Sequence, residues 1–402
     1  MATINLEEPV YRANRGPVFF AAGFRPFFLF AALHAASMLP LWLAVWSGAV
    51  DLHLPYSPIL WHSHEMVFGF AGAAVGGFLL TAVPNWTNGR TLSGLPLMLL
   101  FGLWLAGRVA FTLAGFLPPA VVAVADLSYL PVLGGLVGHQ LIRANNRRNM
   151  IFLLILAAYW LANLAVHLGL AGIGDPLAGI HAGIVVVLAM IAVVGGRIVP
   201  SFTQTWLAMT GQPAEPRKIA WIERGGAPLS VVVAGGLWVL APDAPVTGAA
   251  LLAAAAIHAV RLAGWRGLRA RANPLLWVLH VGYLWLVLGL ALLGLSMLVP
   301  ALPASAALHA LTAGSIATMV VGVMSRAALG HSGRKLEAKP PVVAAYVLIS
   351  AGAALRVAAP LAGDGVAVLT LAGGAAWSLA WLLFALVYLP IVTRPRADGR
   401  PG

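Results

Sequence analysis

The chain has 402 residues, of which 61% are hydrophobic and only 9% are charged. A typical soluble domain has about 25% charged residues, so this composition excludes an ordinary soluble protein. The net charge is +12 and cysteine is absent, which excludes thiolate zinc sites, iron–sulfur clusters, covalent haem attachment and disulfides.

Apolar runs of about 20 residues, the length that crosses about 30 Å of hydrocarbon, recur from Phe27 towards the C-terminus. They predict an all-α, polytopic membrane protein of about 12 transmembrane helices. The predicted helices lie at about 27–47, 60–83, 94–113, 118–141, 150–171, 177–199, 226–241, 246–263, 275–298, 304–328, 341–360 and 366–391. We expect residues 1–402 to form a single transmembrane domain, with a short N-terminal segment of about residues 1–24 and a loop of about residues 200–225 outside the bilayer.

The charges of the loops predict the orientation in the membrane. All lysines and arginines except Arg108 and Arg356 lie in every second loop, and this bias is typical of the cytoplasmic side. The opposite loops contain acidic residues instead: Asp51, Asp175, Asp243 and Asp364. Both termini are therefore predicted to be cytoplasmic, and the first helix is expected to be an uncleaved anchor. The positive charge is explained by anionic lipid, without nucleic acid as a partner.

Five histidines lie in the outer third of the predicted helices: His62, His64, His167, His181 and His309. Imidazole is costly to bury in hydrocarbon and is the commonest side-chain metal ligand in proteins. This layer of histidines therefore predicts a bound metal ion or haem.

The segment from Trp61 to Met66 holds two of these histidines and an acid. His62 and Glu65 share a helix face, whereas His62 and His64 diverge by about 200°. One histidine is thus available to a metal while the other serves a different centre. Glu65 is a candidate metal ligand, hydrogen-bond acceptor for a ligand histidine, or proton carrier. The alternative is that the segment forms an interfacial belt beside Trp61.

His181 and His309 each occupy the first turn of an otherwise apolar helix, and their similar depth favours metal ligation over simple packing. Asn163 and His167 are one turn apart and face the same way. His167 is therefore a candidate ligand, with an Asn-to-His contact between helices as an equal alternative.

A second polar layer lies towards the cytoplasm. Candidates for binding haem propionates or another anion are Arg25, Arg326 and His331, because the planar guanidinium group of arginine forms paired hydrogen bonds with a carboxylate. The alternative is that these arginines only mark the cytoplasmic ends of helices. His34, His139, His258 and His280 show no evident partner pattern and are assigned by default to packing or interfaces.

A weak internal repeat relates helices two, six and ten, each of which begins near a histidine and ends in a polar or arginine-containing segment. This spacing suggests three groups of four helices related by rotation about the membrane normal. Such a repeat would bring the histidines of helices two, six and ten together.

Several segments carry a resemblance to a known family: GFRPFF at 23–28, WHSHEMVFGF at 61–70, LLTAVPNWT at 79–87, NLAVHL at 163–168, GGRIVPSFT at 195–203 and HALTAGSIATMVVGVMSRAALGHSGR at 309–334. Together they resemble the NnrS family from about residue 19 to the end of the chain. The resemblance implies a haem- and copper-containing multi-pass protein of the bacterial inner membrane that is linked to nitric oxide metabolism and to nitrosative stress.

We therefore expect non-covalent haem, of b type, and copper in the outer half of the bundle, with His62 or His64, His181 and His309 as first-choice ligands. The protein would bind or redox-process nitric oxide, and an oxidoreductase activity stays open. One alternative is a transporter of a metal, haem or small anion, and another is a sensor or assembly factor without turnover. The sequence does not identify an electron donor.

Overall fold

The computed structural model describes residues 16–242 and 244–401. The predictions for Arg12, Arg15 and Asp243, and for most of the N-terminal segment, lie outside the described residues. Every regular element in the described part of the chain is a helix, which confirms the all-α prediction.

Twelve principal helices correspond to the twelve predicted segments. They are α1 (Phe24–Trp46), α2 (Pro58–Thr87), α3 (Leu95–Thr112), α4 (Pro119–Arg143), α5 (Arg147–Leu170), α6 (Pro176–Met209), α7 (Ala227–Leu240), α8 (Pro245–Gly264), α9 (Pro274–Leu298), α10 (Ala304–His331), α11 (Pro340–Leu361) and α12 (Gly363–Thr393). Within the described residues, 11 of them are long and apolar enough to cross a bilayer, and α7, with 14 residues, is the exception. The chain is a multi-pass membrane protein.

Helix α6 continues well past its predicted end at about residue 199. Pro200 lies inside the helix, and Thr203 Oγ1 donates to the carbonyl of Val199 at 2.8 Å. A proline removes the backbone donor to the carbonyl four residues earlier, here that of Gly196, and membrane helices tolerate this loss when neighbouring groups satisfy the carbonyl. The cytoplasmic loop predicted at about 200–225 therefore begins only after Met209.

The chain divides into two compact units. The first contains α1 to α5, α6 as far as Gly183, the segment Arg326–Leu336 and the described residues from Ala385 onward. The second contains Ile184–Ser325 and Glu337–Phe384.

In the first unit, α1 packs closely against α2 through small residues. A Cβ atom on Gly77 would lie 2.7 Å from the ring of Phe28, and one on Gly23 would collide with the side chain of Leu80. Glycine at such crossings lets two membrane helices approach, and dispersion contacts then stabilise the pair. This packing places the first half of α2 beside the middle of α1.

Helix α2 contains a π-helical turn, Glu65–Ala71, directly after His64. A π turn moves backbone carbonyls out of the regular α ladder, and in a membrane these carbonyls need other donors. Side chains of four other helices supply these donors. His34 Nε2 lies 3.2 Å from the backbone oxygen of Glu65, and Trp104 Nε1 donates to the backbone oxygen of Gly69 at 3.0 Å. The hydroxyl of Tyr129 donates to the backbone oxygen of Gly72 at 3.3 Å, and that of Tyr159 donates to the backbone oxygen of Val67. These contacts fix the rotation of Glu65 and His64.

In the second unit, α10 contains a corresponding π turn, Ala310–Ile316, directly after His309. Trp377 Nε1 donates to the carbonyl of Ala313 in this turn at 3.3 Å. Two of the three helices in the suggested repeat thus have a π turn immediately after a histidine, whereas α6 is a single α-helix. The threefold arrangement itself stays a prediction.

The second unit also has a buried polar network. Arg261 donates to Glu223 Oε2 at 2.8 Å, to the carbonyl of Ala192 at 2.7 Å and to the Tyr283 hydroxyl at 2.9 Å. The Tyr283 hydroxyl lies 2.7 Å from Nδ1 of His258, which is fully buried. His258 is therefore part of a hydrogen-bond network rather than an isolated packing residue.

Candidate functional site

Asp126 is the centre of a buried polar cluster in the first unit. Its Oδ2 atom lies 2.8 Å from Nε2 of His167, 2.8 Å from Nδ2 of Asn163 and 3.1 Å from Nε2 of His64. The side chains of His64 and Asp126 are completely buried, and that of His167 is only 8% exposed. A carboxylate at this depth is costly unless its oxygens are bonded, and here they are.

Three helices supply these groups. Asn163 and His167 are one turn apart on α5 and face the same way, as the sequence predicts, and both contact Asp126 of α4. Asp126 lies two residues before an interruption of α4 at Ser128. His64 comes from α2, where its ring stacks on Phe111 with the centroids 3.6 Å apart and its Nε2 lies 2.9 Å from Asn163 Oδ1.

Arg108 joins this group to Glu65. Its NH1 donates to Glu65 Oε1 at 2.6 Å and its NH2 bonds directly to Asp126 Oδ1. The other oxygen of Glu65 lies 3.1 Å from His34 Nε2. A Cβ atom on Gly107 would lie 3.0 Å from the Cα of Asp126, so this glycine allows α3 to approach α4 just where Arg108 is needed.

The charges of this cluster do not cancel. Glu65 and Asp126 contribute two negative charges and Arg108 contributes one positive charge, which leaves one excess negative charge when the histidines are neutral. In a buried, low-dielectric position an uncompensated charge is strongly unfavourable. The cluster is therefore suited to one additional cation, either a metal ion or a proton on a histidine.

His64, Asp126 and His167 have the geometry for a metal ion. One donor atom from each of the three lies within 4.8 Å of the other two, and this is the one such group among the described residues. Nitrogen and oxygen donors of this kind suit zinc and copper. The second ring nitrogen of His64, Nδ1, is buried without a hydrogen bond and lies 3.5 Å from Glu65 Oε1. A carboxylate beside the other nitrogen of a ligand histidine is the usual outer partner at metal sites.

A small cavity adjoins the cluster. It has room for about one water-sized molecule. Its lining residues are Phe68, Trp104, Arg108, Asp126, Tyr129, Leu130 and Asn163. It is far too small for a porphyrin, so the donors around Asp126 fit a single ion and not a haem.

The family model for the NnrS protein matches residues 18–396 of the chain. This chain belongs to the NnrS family. No curated protein matches it. The match covers all twelve helices and every residue of the Asp126 cluster. The resemblance that the sequence motifs carry is confirmed, and the cluster is a candidate metal centre of an NnrS family protein.

The other predicted outer-layer residues have separate environments. The His62 ring stacks on Trp42 with centroids 4.7 Å apart, while His64 stacks on Phe111, so the two rings diverge as helix geometry predicts. The histidine that shares the three-donor group with His64 is His167. His181, which the sequence predicts near His64, does not belong to this group. In the second unit, His309 Nδ1 lies 2.7 Å from the carbonyl of Ser305. Ligation by His62, His181 and His309 stays a prediction.

Glu65 is held by Arg108 and His34, and it is not one of the three grouped donors. This arrangement favours a supporting role beside His64 over direct ligation. His34 contacts both the carboxylate and the backbone oxygen of Glu65, so it is part of the polar cluster, for which the sequence shows no partner pattern.

Two residues of the predicted cytoplasmic layer, Arg25 and His331, contact the last described segment of the chain. Arg25 donates to the carbonyls of Val392 at 2.7 Å and Arg394 at 2.9 Å. Arg396 donates to the carbonyl of His331 at 3.1 Å, and its hydrogen bonds with Asp398 lower the pKa of that carboxyl group to about 2. Arg25 thus anchors the end of α12. Anion binding by Arg25, Arg326 and His331 stays a prediction.

Two central residues, Asp126 and Arg108, were not proposed as site residues from the sequence. A usable signal existed, because a charged residue inside a predicted span is by default a functional candidate. In the sequence, Arg108 is notable only as an exception to the pattern of loop charges. Asp126 lies within an apolar run, and the residues next to it in sequence form no recognisable motif.

Proposed function

We propose that this NnrS family protein holds a metal ion, copper, at His64, Asp126 and His167 within the bacterial inner membrane. At this centre it would bind or redox-process nitric oxide and so protect the cell from nitrosative stress. The observation that carries the proposal is the buried three-donor group, which lies inside a cluster with one excess negative charge.

The ligands would be the Nε2 atoms of the two histidines and Oδ2 of Asp126, because these three atoms already converge. Asn163 holds Asp126 through its amide nitrogen, and Glu65 is placed to accept the Nδ1 proton of His64. Such outer contacts fix the tautomer and the direction of a ligand histidine. Copper at this position would supply reversible one-electron chemistry and an affinity for small diatomic molecules.

Nitric oxide is small and uncharged, so it can reach a centre within the membrane without a polar channel. The cavity beside Arg108 and Asp126 has room for about one molecule of this size. Trp104, Tyr129 and Phe68 shield it, and they would keep charged solutes away from the ion.

For haem, the proposed ligand is His309. Its Nδ1 contacts the Ser305 carbonyl, so this nitrogen carries the proton and the lone pair of Nε2 is available to iron. This hydrogen bond to a backbone oxygen is typical of histidines that ligate metals. Without cysteine the haem would be held non-covalently.

The test is the metal and haem content of purified full-length protein. We expect H64Q, H167Q and D126N to lose copper, measured by inductively coupled plasma mass spectrometry, and H309Q to lose the Soret band. The control is H53Q, because His53 is an exposed loop histidine paired with Asp51. Full copper retention in all three cluster variants would refute the site.

Consumption of nitric oxide separates catalysis from binding. A protein that turns over should remove nitric oxide continuously at an electrode when a reductant is supplied, whereas a sensor should bind once per metal centre. A protein that purifies without metal or haem but moves copper into vesicles would instead be a transporter.

A further inference from the structure

We propose that Arg108 sets the charge of the His64–Asp126–His167 group so that it selects a singly charged metal ion over a doubly charged one. This inference rests on the proposed metal site. Arg108 does not belong to the three-donor group and acts through Asp126 and Glu65.

The position of Arg108 is specific. Its guanidinium lies between two carboxylates that are both completely buried, and its own side chain is only 7% exposed. A Cβ atom on Gly69 would lie 3.1 Å from the Arg108 Cδ and 3.2 Å from its NH1, so the π turn leaves room for this side chain. A lipid-facing arginine at a helix end would need no such space.

Arg108 and the proposed ion would share one carboxylate. Arg108 binds Oδ1 of Asp126, while Oδ2 faces His64 and His167. The guanidinium therefore withdraws negative charge from the ligand oxygen and also repels any cation bound there. Both effects weaken the binding of a doubly charged ion more than that of a singly charged ion.

The charge balance points the same way. With Arg108 in place the fixed charges sum to one negative charge, which a single Cu⁺ would neutralise. A doubly charged ion would leave one positive charge in a buried position, where charge is costly. Without Arg108 the fixed charges would sum to two negative charges, and a doubly charged ion would then neutralise the cluster.

The experiment compares Cu⁺ with Zn²⁺, because both ions have a filled d shell and differ by one unit of charge, and the change in their affinity ratio between variants cancels their intrinsic difference in ligand preference. Dissociation constants for both would be measured by competition with chelators, on full-length protein in detergent. In R108Q we expect the ratio of Zn²⁺ affinity to Cu⁺ affinity to rise by at least about tenfold, since a unit charge a few ångströms away is removed. R108K keeps the charge and should keep the ratio near that of the unaltered protein.

A second variant keeps the test open if R108Q does not fold. E65Q removes one negative charge and leaves all three donor side chains in the protein, so it should shift the same ratio in the opposite direction. The control is R148Q, because Arg148 is exposed at the start of α5 and its replacement removes the same charge outside the cluster. It should leave the ratio unchanged.

The outcomes are distinguishable. If the unaltered protein binds neither ion, the proposed function fails. If it binds both and the ratio is the same in R108Q, R108K and E65Q, the metal site stands and the role of Arg108 is refuted. A shift in R108K as large as that in R108Q would also refute it, because geometry and not charge would then be responsible.

Discussion

Gly69 is a small residue on which the candidate site depends. It lies in the π turn of α2, and a Cβ atom there would lie 2.6 Å from Nε2 of His34 and 3.1 Å from Cδ of Arg108. Both of these side chains hold Glu65. The missing methyl group therefore makes room for the two residues that position a buried carboxylate.

Changing Gly69 to Ala should displace His34 or Arg108 and destabilise the first unit by about 1–3 kcal/mol, as overpacking does in other cores. The measurement is the Tm of purified protein in detergent. The matched control is G102A, because Gly102 is also helical and a Cβ atom there meets nothing within 4 Å. A Tm for G69A equal to that of G102A would contradict the prediction.

The sequence predicted part of the site and missed the rest for a physical reason. His64, Asn163 and His167 were found because imidazole is conspicuous at membrane depth and because residues four apart share a helix face. Asp126 and Arg108 are each single charges in apolar runs, so no spacing connects them. Their pairing depends on contacts between α3 and α4, which helical periodicity does not report.

At the scale of the helix, the π turn of α2 is stabilised by donors from other helices. Tyr159 is 1% exposed, and its hydroxyl bonds to the carbonyl of Val67. A carbonyl left without a donor in a membrane interior costs free energy, because no water replaces the lost bond.

Y159F should therefore lower the stability by about 1–3 kcal/mol, the cost of an unsatisfied buried group. Y129F is the comparison, because the Tyr129 hydroxyl makes a longer contact of 3.3 Å with Gly72 and should matter less. Thermal unfolding in detergent, followed by tryptophan fluorescence, measures both. A larger effect for Y129F than for Y159F would contradict this ranking of the two hydrogen bonds.

The buried pair of Arg261 and Glu223 stabilises the second unit. Arg261 is 4% exposed and Glu223 is 17% exposed. Removing one partner leaves the other charge unpaired, so R261Q should cost about 2 kcal/mol, after allowance for the partial exposure of Glu223.

The double variant R261Q with E223Q should be less destabilised than the sum of the two single variants, because it leaves no unpaired charge. The measurement is a double-mutant cycle, in which Tm is determined for the unaltered protein, the two single variants and the double variant. Strictly additive changes would mean that the pair does not interact energetically.

At the scale of the whole molecule, the short helix α7 decides the topology. Counting α7, the chain has twelve crossings, so both ends of the helical bundle lie on the same side of the membrane, which agrees with the cytoplasmic termini that the loop charges predict. Counting only the 11 long helices, the termini lie on opposite sides. The helix count was thus predictable from the apolar runs, but a helix of 14 residues is short for a bilayer.

We expect a C-terminal green fluorescent protein fusion to fluoresce in bacterial cells and a C-terminal alkaline phosphatase fusion to be inactive, because both report a cytoplasmic end. The control places the same two reporters after residue 174, in the loop that contains Asp175 and is predicted to be periplasmic. An active phosphatase at the C-terminus would exclude α7 from the set of spanning helices.

The two π turns directly after His64 and His309 have one further consequence. A π turn contains more residues per revolution than an α turn, so the helix before it is rotated relative to the helix after it. The histidine-bearing end of each helix can therefore present its imidazole in one direction while the remainder of the helix keeps its own packing direction. Deleting one residue within either turn would restore α geometry and swing the histidine by about 100° away from its present neighbours.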